Sequence, residues 1–173
     1  MNKFALVIIG IAGAMAALIA ASYALQQPAG KDGLVELEYT KQQMTMRDGS
    51  GEFVAGRTEV LTIAKDGSAT YRLTDPAFLS QPQEKKFSLS SEEKGRLKGL
   101  ILETGFMQIP DTDYPQKAGV ANFTSYTLKA TAVEGGESKT LKWVNQQARD
   151  GTIPPIILQV NSQLDSIMSK VRA

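Results

Sequence analysis

Apolar side chains run almost unbroken from Phe4 to Leu25, then fall into regular spacings from Val35 onward. Val35, Leu37 and Tyr39 alternate with Glu36, Glu38 and Thr40, the period of a half-buried strand. Residues 42–56 mix Gly with polar side chains and read as a long loop. Glu59–Ile63 and Ala69–Leu73 then form a hairpin about Asp66-Gly67, and Asp75-Pro76 ends it. Phe87 and Leu89 suggest a short further strand. Ser90, with Glu93 three residues on, spells a capping box, so a helix follows with Leu97, Leu100, Ile101 and Thr104 on one face. Gly105 suits the left-handed position after it, from which Phe106 folds back on Ile101. Gly95 and Gly99 weaken that helix and leave room for a close backbone. Pro110 to Gly119 reads as a polar loop.

Tyr126, Leu128, Ala130 and Ala132 alternate with polar residues, and Glu134–Glu137 turns the chain into a strand carrying Leu141 and Trp143. Gln146 to Thr152 is a second loop, and Pro154-Pro155 opens a last helix. Its stripe is Ile157, Val160, Leu164, Ile167, Met168 and Val171. The expected fold class is α+β: an antiparallel sheet of about five strands with two helices on one face, preceded by an N-terminal apolar helix.

The run Phe4–Leu25 holds 22 residues without charge, ten of them strongly apolar. Its length suits a spanning anchor. Ala20-Ala21-Ser22 and Ser22-Tyr23-Ala24 also suit a signal-peptide cleavage site, and both readings stay open. Either way Lys3 and the amino terminus stay in the cytoplasm, so residues 31–173 are expected outside it, membrane-anchored or secreted. The expected division is 1–30, signal-anchor or signal peptide with linker, and 31–173, a single extracytoplasmic domain.

Charge and composition narrow the chemistry. Beyond residue 30 acids and bases are equal in number, because Lys3 is the only charge before it, which argues against a nucleic-acid partner. The chain has no His and no Cys, so imidazole triads, thiolate sites and disulfides are impossible. Asp111 and Asp113 beside Tyr114 match only part of a calcium loop. Glu92-Glu93 sit where a helix dipole favours acids, and Ser90 with Lys94 reads as a cap beside a solvent-directed lysine rather than a nucleophile pair. No enzyme, cofactor or metal is expected. Asn122-Phe123-Thr124 is a glycosylation sequon. The 42–56 loop is the candidate binding element, with Gly51, Glu52, Phe53 and Val54 as its contact residues and Phe53 as anchor.

Leu89–Glu93 leading to Leu97, Leu100, Phe106 and Pro110, then Phe123–Leu128, Thr140–Trp143 and Pro154-Pro155, resemble small exported proteins related to emfourin, an inhibitor of thermolysin-like metalloproteases. Gly51–Gly56 is similar to a Gly-rich element after that family's first strand, with Glu52 where a second Gly is expected. The resemblance implies a protein-binding module, protease-inhibitor-like, and the apolar run Phe4 to Leu25 is expected to tether it to the membrane. The other reading is a structural accessory subunit of a membrane complex. The expected partner is accordingly a protease or the subunits of such a complex.

Overall fold

The computed structural model describes residues 35–47, 51–77, 81–132 and 136–172. The expectations for residues 1–34, the apolar helix and its linker among them, lie outside these. No helix among the described residues is long and apolar enough to cross a membrane.

Six strands form one antiparallel sheet: β1 (Val35–Met46), β2 (Phe53–Ile63), β3 (Ser68–Thr74), β4 (Gln83–Ser88), β5 (Asn122–Ala132) and β6 (Ser138–Val144). Their order across the sheet is β4-β3-β2-β1-β5-β6. The count is six, not about five, because Gln83–Ser88 pairs along its length with β3. The α+β class holds, with helices α1 (Ser91–Lys98) and α2 (Pro155–Arg172).

Strand alternation decides what each face carries. Leu37, Tyr39, Leu61, Ile63, Ala69, Tyr71, Leu128, Ala130, Leu141 and Trp143 project to one side. There they share a core with Leu97, Ile101 and Phe106, and with Ile157, Val160, Leu164, Ile167 and Met168 of α2. The opposite face carries Glu38, Thr62, Thr70, Lys86, Lys129 and Thr140 in one row across all six strands.

Ser90 caps α1 as expected: its hydroxyl accepts from the Glu93 amide at 3.2 Å, while the Glu93 carboxylate accepts from the Ser90 amide at 2.9 Å. The helix then widens into a π turn, Gly99–Glu103, and stops at Gly105, whose φ of 83° is left-handed. Three expectations here fail. Thr104 is exposed and turns its hydroxyl back to the Leu100 carbonyl. Among the described residues, no backbone from another segment comes within 4 Å of where a Cβ on Gly95 or Gly99 would sit. Lys94 is half-buried rather than fully solvated: its methylenes lie over Gly67, where a Cβ would sit 2.5 Å from Lys94 Cδ.

The largest correction concerns residues 42–56. They are not a long loop: β1 runs on to Met46, β2 starts at Phe53, and only 47–52 connects them. Between Gln42 and Met44 of β1, β2 carries an extra residue, a bulge at Gly56-Arg57. Met44 then pairs with Ala55, and Met46 with Phe53. The result is a three-stranded extension of β1, β2 and β5, with Met44 also opposite Phe123.

Candidate functional site

On this extension the apolar side chains change sides. Paired residues share a face, so Met44, Met46, Phe53, Ala55 and Phe123 all project from the side opposite the helices. Phe53 and Phe123 meet edge to face, with ring centroids 4.9 Å apart. Such a pair is worth about 0.5–1.5 kcal/mol beyond its buried area.

The segment after the 3₁₀ turn Phe106–Gln108 forms a wall beside these rings. The Tyr114 amide donates to the Lys142 carbonyl at 2.9 Å, and Tyr114 bridges Trp143 in parallel. The expected polar loop 110–119 is thus fastened to the free edge of β6. Between it and the sheet runs a groove of about 280 Å³, lined chiefly by Met44, Phe53, Tyr114, Pro115, Phe123 and Val144. Asp113 and Lys142 supply charges at its border. A second concavity of about 300 Å³ lies on the same face, among Glu36, Glu38, Thr62, Lys129 and Thr131. Apart from Leu37, Ile63 and Ala64, its lining residues are charged or hydroxylic, and Glu38 stands opposite Lys129, an arrangement that suits a solvated sheet face.

Phe53 of the expected contact residues is therefore half-buried on a strand and forms a groove wall. Val54 is 38% exposed and projects to the other side, so the groove does not bring the two together. Gly51 and Glu52 precede the strand, where Gly51 has a φ of 69° and Glu52 pairs with Arg47 at 3.5 Å. Asn122 is exposed at the start of β5, opposite Thr45, within reach of solvent. Sequence reasoning missed Met44, Phe123, Tyr114 and Pro115 as groove residues. The available signal was in β1, where apolar side chains occupy odd positions through Tyr39 and even positions from Met44.

Three of the acids considered for acid–base or metal chemistry have structural partners. Asp111 pairs with Lys139 at 2.9 Å, Glu92 with Arg96 at 3.2 Å, and Glu93 with Lys170 at 2.7 Å. Among the described residues no group of three or more acids gathers in a way that could hold a metal ion. Two polar clusters do sit under α2. Glu59, 5% exposed, accepts from Tyr71 at 2.8 Å and from Arg57 at 3.2 Å, and also pairs with Arg172. Tyr39, fully buried, donates to Asn161 at 2.6 Å, and Lys41 donates to Asp165 at 3.2 Å. Burial, reinforced by the Asp165 carboxylate, drives the Tyr39 pKa far above its usual value. A phenol held neutral in this way is a hydrogen-bond donor fixing α2 to the sheet, and none of the residues in these two clusters lines the groove. No protein-family model matches the chain, and no curated protein matches it.

Proposed function

We propose that the chain is an extracytoplasmic protein-binding module, tethered to the membrane through Phe4–Leu25, whose contact surface is the groove around Phe53. The observation that carries this reading is the position of the groove. An apolar concavity built from β1, β2, β5 and the 113–116 segment lies on the sheet face opposite α1 and α2. Soluble surfaces seldom gather aromatic and thioether side chains without a partner for them. Met44 adds an adaptable side chain beside rigid rings, a composition that suits a protein contact. The resemblance to emfourin makes a thermolysin-like metalloprotease the first partner to test.

The full-length chain, immobilised in detergent, is exposed to such a protease and to solubilised membrane proteins, and bound material is quantified. Phe53→Ala is expected to weaken capture by about 1–3 kcal/mol, the range for an important interface residue. Its cost in folding stability adds the loss of a half-buried ring to the edge-to-face increment and should stay below the about 3–5 kcal/mol of deleting a fully buried aromatic side chain. Undiminished capture by the folded variant would remove the groove from the binding surface.

A further inference from the structure

The three edges of the sheet are treated differently by the sequence. β4 exposes Gln83, Glu84, Lys85 and Lys86, the charged dress that discourages another strand from pairing. β6 is occupied in part by Tyr114, and Lys139 and Lys142 follow along it. The third edge is easily overlooked. β3 pairs with β2 only from Thr58 to Ile63, so Phe53–Arg57 has β1 on one side and, among the described residues, no strand on the other. From Phe53 to Gly56 this edge holds no charge and no proline, and Val54 on it is 38% exposed.

The direction of its backbone groups follows from the ladder. Arg47 donates its amide to the Glu52 carbonyl at 2.8 Å, which makes that pair hydrogen-bonded across the β1–β2 turn. Met46 donates the other way, to the Ala121 carbonyl at 2.7 Å. Hydrogen-bonded and non-hydrogen-bonded pairs alternate along an antiparallel ladder. Val54 therefore turns its amide toward β1, while Phe53 and Ala55 turn N–H and C=O outward. Their side chains project to the groove face, beside Phe123 and Met44.

We propose that the outer edge of β2 at Phe53–Ala55 takes up an extended, uncharged peptide strand of a partner protein, whose apolar side chains at alternate positions lie on the Phe53 face. This rests on the partner-binding reading and specifies its mode, strand addition, in which main-chain hydrogen bonds hold the peptide and alternate side chains select it. An extended backbone is the occupant because the outward groups are those of a strand edge. An uncharged one fits because Phe53–Gly56 offers no charge to pair with.

Two measurements test this. The first needs no ligand: in the free full-length chain, amide exchange at Phe53 and Ala55 should be at least 100-fold faster than at Val54. Equal protection at all three would show the edge already covered and overturn the proposal. The second selects linear heptapeptides from a displayed library on the full-length chain. Ala55→Pro removes an outward N–H without touching the β1 ladder and should cut affinity for a selected heptapeptide at least tenfold, with the melting temperature retained. N-methylation of alternate residues in the peptide should do the same. A library that yields no binder overturns the proposal. So does a binder sensitive to Phe53→Ala but indifferent to Ala55→Pro, which leaves the groove reading standing. Indifference to both removes both readings. A concentration-dependent dimer abolished by Ala55→Pro assigns the edge to a second copy and overturns the partner strand.

Discussion

Trp143 joins the two regions of the molecule. It is 2% exposed, stacks on Tyr126 with centroids 5.5 Å apart, and borders both the core and the groove. Trp143→Ala is expected to cost about 3–5 kcal/mol in urea unfolding, the range for deleting a buried large aromatic side chain. A loss below about 1 kcal/mol would mean that the surroundings collapse into the space. Alternation alone placed this ring inside, on the side of Leu141, and both share the core with Val160 and Leu164. Lys94 was less legible. A lysine in the first turn of a helix normally reads as solvated, and only the approach of the Asp66-Gly67 turn reveals what its methylenes cover.

At the scale of elements, capping and turn chemistry were readable because they depend on neighbours in sequence. Ser90 with Glu93, Asp66-Gly67 and Gly105 each behave as their residue types require. Glu93 also carries a tertiary role. Its hydrogen bond from Lys170 near the end of α2, then the one from the Ser90 amide, hold its carboxyl below the usual 4.5. A depressed folded-state pKa adds stability above the unfolded value and loses it as pH falls through the folded one. Glu93→Gln should therefore be less stable than the parent at pH 7, and the gap should close as both are taken in steps below pH 4.5. Thermal melts across that range check this, and a gap independent of pH would assign the effect to lost packing. β4 was barely visible beforehand, because Gln83–Lys86 lies on an exposed edge with no buried side to impose alternation. The distal half of β2 was hidden for another reason: Gly56-Arg57 interrupts its period of two.

For the whole molecule, the topology expectation is that residues 31–173 lie outside the cytoplasm, set by the positive end of Phe4–Leu25. Protease added to intact spheroplasts should remove the domain, and survival until lysis would reverse the orientation. Fold class was legible because two helical stripes and several alternating strands admit few packings. The groove was not, because three of its walls are brought together by pairing between Met44, Ala55 and Phe123, and by the Tyr114 bridge, contacts distant in sequence. The bulge at Gly56-Arg57 has a consequence for the surface as a whole. Side-chain direction in a strand is a matter of parity, odd or even, and one inserted residue inverts it for everything upstream. With the insertion, Phe53 and Ala55 fall in step with Met44, Met46 and Phe123. Without it, Val54 and Gly56 would take those places and the two phenyl rings would stand on opposite sides of the sheet. The chemical character of this face is thus stored in a count of residues as much as in their identities, and a length change at this point would rewrite it while leaving the composition nearly untouched.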